Sequence, residues 1–194
     1  MNNKPKNLAV FASGRGSNAR AICEYASKSP YFNVRLIATN KSTAGVLELP
    51  EEYVIPSFVF NREELENGEA ILSMLSKSNI DFIALAGFLK KIPRYLISEY
   101  PKKIVNIHPA LLPKYGGKGM YGRYIHQAVI ENKEYASGIT IHYVNEEYDE
   151  GAVIFQCKCP VKESDDASVL ASRVLRLEHH YFPIVIEGLA KSLV

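Results

Sequence analysis

Short runs of aliphatic and aromatic residues alternate along this chain with longer segments of helical period, and that alternation constrains the fold more than any other feature. Asn7–Ala12 reads as a first strand, and Ser17–Lys28 as a helix with Ala19, Ile22, Cys23 and Ala26 on one face. Val34–Thr39 and Ser57–Phe60 read as the next two strands. Asn61 then caps a helix running to about Ser76, with Glu64 at the capping-box position. Asp81–Ala86 is apolar on both faces, as a central parallel strand must be, and Ile104–His108 is a further buried strand. A glycine-rich loop, Gly116–Gly119, leads into a helix from about Arg123 to Asn132. The strands Ala136–Val144 and Ala152–Cys159 are joined by an acidic turn, Asn145–Gly151, short enough for an antiparallel pair. Asp165–Ala190 closes the chain as a long helix that Pro183 is expected to kink or break. The pattern predicts an α/β fold: a Rossmann-like open, mostly parallel twisted sheet with flanking helices and an antiparallel pair in the C-terminal half. With no repeat and no linker, the 194 residues are expected to form a single domain over 1–194.

Composition narrows the class. Apolar residues make up 47% and charged residues 23%, so neither disorder nor fibrous structure is indicated. Twenty-three basic against 21 acidic side chains give +2, too balanced for a nucleic-acid partner. The strongest apolar stretch, Phe82–Leu89, is far shorter than the ~20 residues of a membrane span. The opening Met-Asn-Asn-Lys-Pro-Lys lacks the apolar core of a signal peptide. Three cysteines cannot all pair, which suits a reducing cytoplasm, and Cys157 and Cys159 are expected to pack in the core. The five histidines fall into no zinc spacing, so no metal is expected.

In open α/β sheets ligands sit beyond the carboxyl ends of the strands. The first such end carries Ser13-Gly-Arg-Gly-Ser-Asn-Ala19, where glycines let the backbone approach a ligand and the helix amides suit an anion. The loop matches G-x-G-x-x-A, but Thr39-Asn-Lys41 supplies no carboxylate for an NAD ribose, so a monophosphate fits better; a plain tight turn stays open. Ser13 and Ser17 lie here without the elbow motif of a serine nucleophile. The second end, Gly87-Phe-Leu-Lys-Lys-Ile92, offers an apolar wall and two cations, or simply solvated lysines. The third is the most informative. Asn106 and His108 are two apart on a strand and share a side, an amide beside an imidazole inside an apolar run. That pair can donate to a developing oxyanion and move a proton, although a histidine satisfied within the core is the bland alternative. Asp149 would raise the histidine pKa if its turn folds over this strand end.

Taken together, Ser13–Asn18, Leu85–Phe88, Asn106–Pro109 with Leu111–Tyr115, Gly138–His142, Asp149–Gly151, and Leu177–His179 with Pro183 closely resemble the folate-dependent phosphoribosylglycinamide formyltransferases of purine synthesis. The resemblance implies transfer of a formyl group from 10-formyltetrahydrofolate, as co-substrate, to the amine of glycinamide ribonucleotide. It implies catalytic roles for Asn106, protonated His108 and Asp149, with Gly16, Ser17 and Asn18 on the substrate phosphate and Glu178 on its ribose. Arg62, Leu89, Lys90, Lys91 and Ile92 would line the folate side. The family often has arginine where this chain has Lys90, which keeps the charge without the bidentate fork. Small-molecule partners, a cytoplasmic location and a monomer or homodimer are expected, with no nucleic acid or membrane.

Rival readings are a methionyl-tRNA formyltransferase, a formyltetrahydrofolate hydrolase and a nucleotide-binding module without turnover. The first two normally carry further domains after or before such a catalytic region, whereas here the first strand starts at Asn7 and the sequence stops at Val194. The three residues Asn106, His108 and Asp149 together are more than a binding module needs.

Overall fold

The computed structural model describes residues 4–193. The opening stretch read above for a leader therefore lies partly outside the described residues. Strands β1 (Lys6–Phe11), β2 (Phe32–Thr39) and β3 (Ser57–Val59) are connected through α1 (Ser17–Ala26), a short 3₁₀ turn at Gly45–Glu48 and α2 (Leu49–Tyr53). Helices α3 (Arg62–Asn67) and α4 (Glu69–Lys77) lead to β4 (Phe82–Leu85), and α5 (Arg94–Glu99) leads to β5 (Ile104–His108). Helix α6 (Arg123–Glu131), the strands β6 (Ala136–Tyr143) and β7 (Val153–Pro160), and α7 (Ala167–Ser192) complete the chain. The seven strands form one sheet in the order β3-β2-β1-β4-β5-β6-β7. β1 through β5 run parallel, whereas β5–β6 and β6–β7 pair antiparallel. This is the mixed, mostly parallel sheet expected.

The strand alternation builds two cores. Leu8 and Val10 of β1 face one side, against Ile22 of α1, Val129 of α6 and Val174 and Phe182 of α7. Ala9 and Phe11 face the other, against Leu65, Ile71 and Leu75 of α3 and α4 and Leu96 of α5. The strand order changes direction between β1 and β4. Their carboxyl ends therefore open side by side, which is where a doubly wound sheet binds ligands.

Two expectations are corrected here. The helix starting at Asn61 does not run unbroken to Ser76. Its capping box forms, with Glu64 N–H on Asn61 Oδ1 at 2.9 Å and Asn61 N–H on Glu64 Oε2 at 2.7 Å, but Gly68 divides it. Gly68 sits at φ +84, and a Cβ there would lie 2.5 Å from the Tyr95 ring, so the chain turns where the ring presses on it. Conversely, α7 passes through Pro183 as one helix. A buried stripe of Leu170, Val174, Phe182, Ile186 and Ala190 anchors the helix on both sides of the proline, and that packing outweighs one missing N–H. Of the strand cysteines Cys159 is buried and Cys157 is half-buried; all three cysteines are free thiols.

Candidate active site

β5 ends in Asn106 and His108, and the pairing with β6 sets His142 directly opposite Asn106 and Thr140 opposite His108. The β6–β7 turn folds back over this strand end, with Asp149 in a left-handed conformation at φ +59. Its carboxylate reaches both histidines: His108 Nδ1 to Oδ2 is 3.5 Å, and His142 Nε2 to Oδ1 is 3.6 Å. The sequence-predicted three are thus assembled, with a second histidine added. Asn106 Nδ2 donates to His142 Nε2 at 3.1 Å and more weakly to Asp149 Oδ1 at 3.4 Å. A carbonyl can only accept, so His142 carries its proton on Nδ1 toward Tyr143 O, leaving Nε2 free to accept in the neutral ring. By the same logic His108 Nε2–H donates to Tyr115 O at 2.8 Å. Gly117 N–H donates to Asp149 Oδ2 at 3.0 Å. The loop after β5 therefore lies across the cluster and supplies both of these backbone partners.

Electrostatics sets opposing influences against each other at His108. Burial pulls the His108 pKa down, and although Asp149 and the Tyr115 carbonyl pull it upward, the net direction is below the ordinary value. The surroundings of the His108 imidazole thus bias it toward its neutral form, against the pull of Asp149. Burial pushes the Asp149 carboxyl up, but the facing His142 and His108 rings and the Gly117 N–H outweigh it, and the net direction is below the usual range, so it is ionised. His126, buried on α6, is pushed down to about 4 by burial and by repulsion from His108.

At the end of β1, Gly16 is the N-cap of α1 at φ +80, and a Cβ there would lie 2.8 Å from Val46, so glycine is required. No side chain caps this helix, leaving its first amides free to take an anion. Asn18 Nδ2 donates to Glu178 Oε2 at 2.9 Å, uniting α1 with α7 and bringing two of the residues assigned by resemblance to the acceptor side into contact. Asn18 Oδ1 is buried without a partner. Burial raises the Glu178 carboxyl to about 7 against the opposing pull of the Asn18 amide.

Beyond β4, Arg62, Lys90, Lys91 and Ile92 line one cleft of about 450 Å³ together with Arg94 and Glu146. Leu89 lies outside that lining, with 45% of its surface exposed. Arg62 is turned to Glu66 at 2.7 Å, and both side chains are exposed. Lys91 meets Glu147 and Arg94 meets Glu146, each at 3.3 Å, tying the cleft to the turn that carries Asp149. Among the described residues, no three His, Cys, Asp or Glu side chains gather as a metal site, and no helix is long and apolar enough to cross a membrane.

Residues 6–186 match the family model described as Formyl transferase. The chain belongs to the formyl transferase family. It is 43% identical over 195 residues to a chloroplastic phosphoribosylglycinamide formyltransferase of Arabidopsis thaliana, covering 97% of this chain and 67% of that protein. It is 36% identical over 189 residues to the Bacillus subtilis phosphoribosylglycinamide formyltransferase, covering 95% and 94%. The crystal structure of glycinamide ribonucleotide transformylase 1 from Geobacillus kaustophilus superposes with a TM-score of 0.87 at 34% identity, covering 96% of this chain and 99% of that one.

Within this formyl transferase fold, sequence reasoning about chemistry missed His142 and the backbone groups of Tyr115 and Gly117. The usable signal for His142 was the antiparallel pairing of β5 with β6, which brings a polar residue of β6 opposite Asn106. Thr140 was missed as well. Its Oγ1 donates to Ala110 O at 2.7 Å and accepts from Leu112 N–H at 3.0 Å, fixing the path of the loop that reaches His108.

Proposed function

We propose that this formyltransferase acts as a single domain over 1–194, transferring the formyl group of 10-formyltetrahydrofolate to the amine of N1-(5-phosphoribosyl)glycinamide in purine (IMP) synthesis. The observation that carries the reading is the assembly of Asn106, His108 and Asp149 between an uncapped helix N-terminus backed by Glu178 and a cationic cleft. The relatives named above supply the formyl chemistry and the acceptor by likeness.

The amine attacks the formyl carbon and gives a tetrahedral intermediate with a negative oxygen and a positive nitrogen. Asn106 and His108 donate to that oxygen. The Tyr115 carbonyl accepts from the His108 Nε2–H at 2.8 Å, so the substrate oxygen must take that carbonyl's place for His108 to donate to it. The oxyanion and ionised Asp149 both favour an imidazolium at His108, whose added proton comes from solvent water and returns there when the intermediate collapses. Asp149, through a water, carries a proton from the attacking nitrogen toward the departing folate nitrogen. The C–N bond to the folate breaks as that nitrogen regains a proton, and the formamide remains on the acceptor. Gly16, Ser17 and Asn18 bind the phosphate through amides and side chains, and Glu178 takes the ribose hydroxyls. Arg62, Lys90, Lys91 and Ile92 hold the folate, with Leu89 as a wall nearer β1.

The test is a steady-state assay of the purified protein with 10-formyltetrahydrofolate, following tetrahydrofolate release with glycinamide ribonucleotide, with methionyl-tRNA, or without acceptor. Turnover only with the nucleotide is expected. Formate release without acceptor, turnover with tRNA, or binding without turnover would each replace the reading.

A further inference from the structure

Ser13 follows β1 and is only 3% exposed. Its hydroxyl donates to Asn40 Oδ1 at 2.6 Å and accepts from Leu89 N–H at 3.1 Å, while its own N–H donates to Gly87 O at 3.1 Å. With its hydrogen committed to Asn40, the hydroxyl is not poised as a nucleophile. Instead one buried side chain joins the loop that opens α1 to the segments following β2 and β4. The loop and the segment following β4 lie next to different ligands under the reading above. The loop runs on within a few residues to Gly16–Asn18 on the acceptor side, and Leu89 begins the stretch that leads into the formyl-donor cleft. The loop is tied down elsewhere by the Gly14 carbonyl, which accepts from Val46 N–H at 3.1 Å, and Gly14 and Arg15 are exposed.

We infer that Ser13 is a positioning residue that couples the two substrate subsites. The inference rests on the formyl-transfer reading for what the two subsites hold. A phosphate on the α1 amides pulls on the exposed Gly14–Arg15 turn, and the buried Ser13 hydroxyl passes that displacement to the Leu89 amide at the start of the donor wall. Each ligand thereby favours the arrangement of this joint that the other binds. The effect is reciprocal by linkage, so each ligand tightens the other by the same factor.

The experiment is calorimetric titration of the full chain with tetrahydrofolate, which carries no formyl group, in the absence and presence of saturating glycinamide ribonucleotide. In the wild type the nucleotide tightens tetrahydrofolate by about tenfold. In Ser13→Ala that ratio falls to about one, whereas a purely structural hydroxyl would lower the melting temperature and leave the ratio intact. Asn40→Ala, which keeps the Leu89 bond but frees the hydroxyl, gives an intermediate ratio and decides the matter if Ser13→Ala does not fold. A wild-type ratio of one in a protein that turns over, or an undiminished ratio in the variants, overturns the coupling. A wild type that neither binds the nucleotide nor turns over removes the formyl-transfer reading itself, and the coupling with it.

Discussion

At the end of β5 the reactive atoms already have protein partners: His108 Nε2 on Tyr115 O, Asn106 Nδ2 on His142, and an Asp149 oxygen on Gly117 N–H. At the end of β1 they do not. Among the described residues no side chain caps α1 and none partners the buried Asn18 Oδ1, while Glu178 accepts from the Asn18 amide. An anion arriving at the second region therefore gains contacts without breaking any of these, whereas chemistry at the first requires an exchange of acceptors. The two regions also carry opposite protonic bias. Burial favours a neutral carboxyl at Glu178, raising its pKa, and neutral imidazoles at His108 and His126, lowering theirs.

The largest expected effect breaks the catalytic side alone. Asp149→Ala lowers kcat by roughly 10²–10⁴ with little change in the acceptor KM, because it removes the proton carrier and leaves the phosphate loop untouched; steady-state kinetics reads the split. Next comes the opposed pH response. Glu178 goes from an ordinary 4.5 to about 7 on folding, so its neutral form contributes stability below pH 4.5 that is lost as pH rises through about 7. The loss is on the order of 3 kcal/mol, and Glu178→Gln abolishes it in melts compared between pH 4.5 and 8. His126 runs the other way. With its folded value near 4 against 6.5, stability present above 6.5 is lost as pH falls through about 4, again on the order of 3 kcal/mol. His126→Gln flattens that acid limb. The smallest effect sits at the cleft: Lys91→Ala, which frees the exposed Glu147, costs less than about 1 kcal/mol in stability and raises the folate KM with kcat nearly kept.

The sheet was legible because its signals are local. Phe82–Leu85 is apolar on both faces, Asn61 and Glu64 cap reciprocally, and Asn106 and His108 are forced to one side by the strand period. What stayed hidden depends on partners distant in sequence. Gly68 breaks a helix because the Tyr95 ring arrives there, and α7 survives Pro183 because its apolar stripe is buried on both sides. His142 joins the cluster only through strand register. The sign of the His108 shift could not be read from the neighbouring Asp149, since it is burial that prevails. Glu178 was assigned to the acceptor ribose by resemblance, but its hydrogen bond with Asn18 and its raised pKa required knowing where α7 packs and how deeply it buries the carboxyl.

The central claim is that Asn106 and His108 stabilise the oxyanion in the chemical step, and single-turnover formyl transfer by Asn106→Ala and His108→Ala tests it most directly. The account predicts a chemical step slowed by roughly 10²–10³ in each variant, about 3–4 kcal/mol, with binding of both substrates nearly unchanged. A chemical step at wild-type rate, with only weakened binding, would contradict it.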